Sequence, residues 1–188
     1  MKKLIVKEWI TLDGVFDAGS MNVWNASYHS DSRAKCIIED ILGADAFLYG
    51  RTTYEMLAPY WSALKNNEMG VADKLNNAPK YVVSTTLKKA DWNNSTIISR
   101  NVIEEVKKLK QQQGSYILLD GSATLAQGLM EAGLVDEYRF LVHPVIMGSG
   151  KKFFKEHFPL SKLKLVHSAQ LDLGVLQLIY ENAKVDAE

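Results

Sequence analysis

Short apolar runs alternate with longer stretches whose apolar residues recur every three or four positions. Leu4 to Ile10 predicts a first strand, and Asp31 to Leu42 a helix with Ile37, Ile38, Ile41 and Leu42 on its buried side. Asp45 to Tyr49 predicts a second strand, followed by a helix running to about Leu64. Thr52 and, three residues later, Glu55 have the spacing of a capping box, which places that helix start at Thr52. Tyr81-Val82-Val83-Ser84 reads as a β-branched strand and Thr96 to Ser99 as another. Val102 to Gln113 reads as a helix carrying Ile103, Val106 and Leu109 at helical spacing. Tyr116 to Leu119 predicts a buried strand running into Asp120-Gly121-Ser122 and a helix that ends near Gly133. Strands alternating with amphipathic helices imply a mostly parallel sheet covered on both faces.

The last third changes rhythm. Glu137 to Val142 reads as a strand stopped by Pro144, while Leu163 to Gln170 and Val175 to Glu181 flank Leu173-Gly174 as a hairpin. The expectation is an antiparallel edge on a parallel sheet. The 188 residues show no internal repeat, low-complexity run or dividing linker, so one domain over 1–188 is expected, with a core from about 3 to 182. Gly14 to His29 lacks either period and carries Gly19, Ser20, Trp24 and Tyr28, the pattern of a binding loop or lid.

Charge and composition narrow the function. Twenty-two Lys and Arg balance 22 Asp and Glu, so no net field draws the chain to nucleic acid or a lipid surface, and any anion site is local. Cys36 is the single cysteine, which excludes an internal disulfide and a cysteine-rich zinc site and agrees with a cytoplasmic location. His29, His143, His157 and His167 lack metal-ligand spacing, so no metal is expected. The run Leu4-Ile5-Val6 is broken at once by Lys7 and Glu8, unlike a signal peptide or a membrane span.

Two chain corners carry candidate chemistry. Gly50-Arg51-Thr52-Thr53-Tyr54-Glu55 follows a strand, so a glycine, a helix start and a guanidinium coincide where an anion is favoured. An ordinary strand-to-helix turn with a surface arginine has the same sequence. Asp120-Gly121-Ser122-Ala123-Thr124 opens a second helix after another strand, and two such corners suit the two ends of a diphosphate-containing cofactor. Ser84, Thr85 and Thr86 would add hydroxyls at a third strand end, and Lys88 or Arg100 charge. Gly148-Ser149-Gly150 starts like a dinucleotide fingerprint, yet Phe153 stands in place of its third glycine, and a surface turn is the simpler reading. No Gly-x-Ser-x-Gly elbow occurs.

Together with Val83-Ser84-Thr85, Gly121-Ser122-Ala123-Thr124-Leu125, and Gly133 to Glu137 with His143 to Gly150, the Gly50–Glu55 corner resembles the dihydrofolate-reductase-like family. The branch resembled is that of the riboflavin-biosynthesis reductase domain, whose Ser-Leu-Asp-Gly is matched by Thr11-Leu12-Asp13-Gly14. The resemblance spans Leu4 to about Tyr180. It implies a three-layer α/β/α sandwich on a mixed, mostly parallel sheet with an antiparallel C-terminal hairpin, NADPH as cofactor and a reductase reaction. Carried over, Gly50, Arg51, Thr52 and Thr53 would meet the adenosine-side phosphates and Ser84 and Thr85 the ribose 2′-phosphate. Gly121, Ser122, Ala123, Thr124 and Leu125 would cradle the pyrophosphate, and the Leu12-Asp13-Gly14 turn with its following loop would cover the nicotinamide.

The helix after that loop shows no carboxylate in the register that dihydrofolate reductases use for proton delivery, so a different small heterocycle is the expected substrate. Hydride transfer still needs a proton source. Asp13, Tyr28, His29 and Asp31 are candidates, with Asp13 best placed, although an aspartate before glycine is also a common turn residue. Trp24 and Trp61 would line an aromatic pocket or fill the core, the latter favoured for Trp61. The alternative to a reductase is a nucleotide-binding sensor of the same fold without turnover. The C-terminal strands offer an edge for a second copy, so a homodimer is expected, with no nucleic acid or membrane partner.

Overall fold

Strand β1 (Lys3–Thr11) forms where Leu4, Ile5 and Val6 are buried without interruption, the pattern of a strand covered on both faces. The structure is a computed structural model that describes residues 1–16 and 18–183. The strands that follow are β2 (Ala46–Gly50), β3 (Lys80–Val83), β4 (Ser95–Ile98), β5 (Tyr116–Leu119), β6 (Glu137–His143), β7 (Leu163–Gln170) and β8 (Leu176–Asn182). They form one eight-stranded sheet in the order β4-β3-β2-β5-β1-β6-β8-β7. The helices are α1 (Ala18–Trp24), α2 (Asp31–Gly43), α3 (Arg51–Ala63), α4 (Ala72–Asn77), α5 (Val102–Gln111) and α6 (Ala123–Glu131). This is the mostly parallel α/β sheet with a C-terminal antiparallel hairpin that the sequence predicts.

The chain divides into two compact units, Met1–Val6 with Cys36–Val135 and Lys7–Lys35 with Asp136–Glu188. The sequence reading had one domain, and no linker marks the division, because one boundary falls inside β1 and another inside α2. In the first unit, β2 pairs in parallel with both β3 and β5, in the registers Gly50↔Val83 and Leu48↔Leu119. All five residues of β2 are buried. Burying Phe47, Leu48 and Tyr49 stabilises by ~1.5–3 kcal/mol for each apolar side chain, which outweighs strand propensities that span ~1 kcal/mol and disfavour Ala46 and Gly50. Parallel pairing of three neighbours brings the ends of β2, β3 and β5 to the same edge of the sheet.

Helix α4, which has no counterpart in the sequence reading, ends in carbonyls that a buried lysine satisfies. Lys80 Nζ donates to Leu75 O at 2.6 Å and Ala78 O at 2.8 Å and sits 4.7 Å from the Trp92 ring centroid. Trp92 in turn donates its backbone N–H to Tyr54 Oη at 2.9 Å and its Nε1–H to Asn76 Oδ1 at 2.7 Å. The lysine acts as a C-terminal cap from outside the helix. Trp61 packs partly buried against this core, as expected.

Three local expectations are corrected. Helix α3 starts at Arg51, not Thr52: extended Gly50 is its N-cap, no side chain caps it, and Glu55 pairs with Arg51 instead of reaching back to the backbone. On α2, Leu42 is exposed, and Arg33, Asp40 and Ile41 are the buried positions. The segment read as an irregular loop contains α1 and a 3₁₀ turn, Ala26–Tyr28.

In the second unit, β8 pairs antiparallel with β6 and with β7, whose pairing is irregular between Leu165 and His167. An isolated bridge joins Val15 to Lys152, and Phe16 and Phe140 each meet the Phe153 ring edge-on at 5.7 Å.

Candidate functional site

The corner after β2 and the corner after β5 touch. Gly50 N–H donates to Gly121 O at 3.2 Å, and a Cβ on Gly50 would stand 2.5 Å from Ser122 Oγ. A Cβ on Gly121, whose φ is +71°, would stand 2.7 Å from Thr53 Oγ1. Both glycines are thus required by close approach, and Gly121 by its left-handed backbone as well. The Gly121-Ser122 peptide is cis.

This contact sets two helix starts side by side. Helix α3 begins after Gly50 and α6 after Ser122, and neither has a side-chain cap, so first-turn N–H groups at both ends lack side-chain acceptors. Between them opens a cleft of about 440 Å³, within the range of ~300–1,000 Å³ that small-molecule sites occupy. Gly50, Arg51, Thr52, Ser122, Thr124 and Leu125 line it, six of the residues named from sequence. Arg51 is about half exposed, and its guanidinium is held by Glu55 Oε2 at 2.9 Å.

Five expected cofactor residues do not line this cleft. Thr53 and Gly121 pack on each other behind it, Ala123 is buried, and Ser84 and Thr85 follow β3. Ser84 Oγ accepts N–H groups from Thr86 at 3.2 Å and Leu87 at 2.9 Å, a turn-forming use of the hydroxyl, while Thr85 is exposed. The remaining wall was missed from sequence: Val83, Val102, Ile103, Gly128 and Leu129. Only Gly128 left a readable signal, as a glycine inside a helix with nothing within 4 Å of where its Cβ would be. The charge of Asp120 is felt at buried Tyr49, whose phenol is pushed up by burial first and by this carboxylate second.

Asp13, expected as the proton donor, is occupied otherwise. Thr11 Oγ1 donates to its Oδ1 at 2.6 Å, Met147 N–H at 3.2 Å, and Gly148 N–H reaches Oδ2 at 2.8 Å. The Thr11 bond above all, then the two backbone bonds, lower its pKa to about 2. A carboxylate held as an anion acceptor clamps the β1 turn to the Met147–Gly148 turn and has no proton to give near neutrality. His29 and Asp31 are exposed, Tyr28 stands edge-on to His143 at 5.6 Å, and Trp24 is core, 2% exposed.

Residues 2–177 match the family model of the RibD C-terminal domain. The chain belongs to that family. A full-length relative, the uncharacterized protein YyaP of Bacillus subtilis, is 31% identical over 192 aligned positions, covering 95% of this chain and 94% of its own. Among solved structures, a pyrimidine reductase-like protein from Corynebacterium diphtheriae superposes with a TM-score of 0.70 at 12% identity, over 97% of this chain and 92% of that one. Dihydrofolate reductase from Enterococcus faecalis, solved with NADP(H), gives 0.61 at 14% identity over 96% of both chains. At these identities the two likenesses show a shared fold alone. Among the described residues no helix is long and apolar enough to cross a membrane.

Proposed function

We propose that this RibD C-terminal domain family member is an NADPH-dependent reductase that transfers hydride to a small, heterocyclic substrate. The observation that carries the reading is the meeting of two uncapped helix starts across Gly50 and Ser122 at the rim of one cleft. An anion there gains the partial positive charge and open N–H groups of both helices, and a pyrophosphate spans the two. Arg51 and Thr52 would hold one phosphate, Ser122, Thr124 and the first turn of α6 the other, and Thr85 with Ser84 the 2′-phosphate. Val83, Val102 and Ile103 supply an apolar wall of the kind a purine packs on. The bound dinucleotide supplies the hydride. NADP(H) in the E. faecalis enzyme of the same fold, and the reductase naming of the C. diphtheriae protein, support this assignment.

The engagement of Asp13 favours a second reading, nucleotide binding without turnover. Titration of NADPH by calorimetry tests the shared premise, with saturable binding expected and absence of heat rejecting both readings. Loss of reduced-nicotinamide absorbance with a panel of pyrimidines and pteridines then selects the enzyme over the sensor. We further propose a homodimer built on β7, the last strand in the sheet order, whose Leu165 and Val166 are half exposed. Light scattering should give twice the chain mass, and Leu165→Lys should return it to one.

A further inference from the structure

Lys80, the first residue of β3, is fully buried and takes no part in the cofactor cleft. A lysine ammonium has three N–H donors and no acceptor, and here all three go to the carboxyl end of α4. Its Nζ donates to Leu75 O at 2.6 Å, Ala78 O at 2.8 Å and Asn76 O at 3.3 Å, with the Trp92 ring centroid 4.7 Å away in cation–π range. Asn93 Nδ2 donates to Asn76 O at 3.2 Å and Asn94 Nδ2 to Asn77 O at 2.7 Å, so side chains from outside the helix take the carbonyls of residues 75–78. A helix of six residues has little stability of its own and depends on such contacts. Among the described residues no carboxylate pairs with Lys80. On α4 itself Asp73 is exposed and Lys74 partly so, and before β4 Asp91 is held by Lys89 at 2.6 Å in solvent. The phenols of Tyr49 on β2 and Tyr54 on α3 lie against Trp92, each at 6.1 Å between centroids, and β4 sets Ser95 opposite Lys80. Burial is the sole cause that lowers the lysine pKa, from 10.5 to about 8.

Loss of one proton changes what this group can hold. The neutral amine keeps two N–H groups and gains a lone pair, so it cannot satisfy three carbonyls, and its lone pair meets oxygen or ring electrons where a positive charge stood. A carbonyl stranded away from water is unfavourable. Burial drives the proton out, while the three carbonyls and the ring hold it. We propose that the Lys80 ammonium is a proton-operated clasp: charged, it fastens the carboxyl end of α4 to β3 and Trp92, and neutral, it lets that end go. Val71, Ala72 and Leu75 stay buried as apolar anchors, so the opening is local. Trp92 reports it, because its Nε1–H donates to Asn76 Oδ1 at 2.7 Å. Global stability moves the other way. The unfolded chain keeps this proton up to about pH 10.5 and the folded chain only to about 8, so stability rises between those values while the helix end loosens. That opposition separates the clasp from general alkaline unfolding, and it involves no cofactor.

The test follows the full chain by NMR, without ligand, from about pH 7 to about pH 9.5. The Lys80 side chain should titrate in this interval and the Trp92 indole N–H signal should shift with it. The Ala78 N–H bonds to Lys74 O at 2.9 Å, and its hydrogen-exchange protection, corrected for the intrinsic rate, should fall about tenfold. The Ala126 amide of α6, bonded to Ser122 O at 2.9 Å, should keep its protection, and the melting temperature should rise. Lys80→Met keeps an unbranched side chain without donors, so it should show the low Ala78 protection already at pH 7 and lose the pH dependence of protection and of melting temperature. Should that variant not fold, the titration of the unaltered chain decides alone. A Lys80 that keeps its proton to pH 9.5, Ala78 protection unchanged while the proton leaves, a falling melting temperature with Ala126 exposed as well, or the same pH-dependent loss in Lys80→Met overturns the clasp.

Discussion

Arg51 is shared between two partners. In the free protein its guanidinium is held by Glu55 at 2.9 Å, one turn along α3, at a surface where such a pair contributes ~0.3–0.5 kcal/mol. A phosphate on the same guanidinium forms charge-assisted bonds worth ~1.5–3 kcal/mol. The stronger contact wins, so ligand should draw Arg51 from Glu55. Arg51→Ala is expected to weaken NADPH binding about ten- to a hundredfold, read by calorimetry, with little change in stability. Glu55→Gln removes the competitor and a nearby negative charge and should strengthen binding slightly. Equal affinities in all three proteins would take Arg51 out of the site.

The two corners were legible because each spends small residues where a strand becomes a helix. Gly50 and Gly121 stand out from the buried runs Ala46–Tyr49 and Tyr116–Leu119, and close packing at Ser122 and Thr53 explains why nothing larger fits. What the sequence concealed follows from the same physics. Helix α1 has seven residues, among them Gly19, Ser20 and Asn22, all poor helix formers, and it folds through the burial of Trp24 against His143. Helix α4 has six residues and is capped by Lys80 from the next strand, a contact that no local pattern announces. The apolar wall of the cleft comes from the start of α5, where Val102 and Ile103 read as core. The corner contact itself is open to test. Gly50→Ala places a Cβ 2.5 Å from Ser122 Oγ and 3.3 Å from its backbone nitrogen, so the corners must part, at a cost of ~1–3 kcal/mol seen in denaturant melts. Ser122→Gly in the same chain removes the Oγ and Cβ that collide and should recover much of that loss. Additive costs in the double variant would mean the corners are not coupled.

Two groups with large shifts weaken the folded chain in acid in separate windows. Burial, aided by the charge of Arg33, holds the His143 imidazole neutral, its pKa lowered from 6.5 to about 4. Between those values an unfolded chain binds a proton that the folded one refuses, so stability falls as pH drops from 6.5 toward 4, by on the order of 3 kcal/mol. Asp13 runs the same way lower down: its folded pKa of about 2 lies below the ordinary 3.8, so its contribution is present above pH 4 and lost between 4 and 2. The melting temperature should therefore be flat around pH 7, below the window of buried Lys80, whose pKa is lowered from 10.5 to about 8, and decline in two stages toward acid. His143→Gln cannot bind the proton in either state, so whatever its absolute stability, its melting temperature should lose the slope between pH 6.5 and 4 and keep the one below. Asp13→Asn should do the reverse. An unaltered upper slope in His143→Gln would show that the imidazole is not the group held neutral.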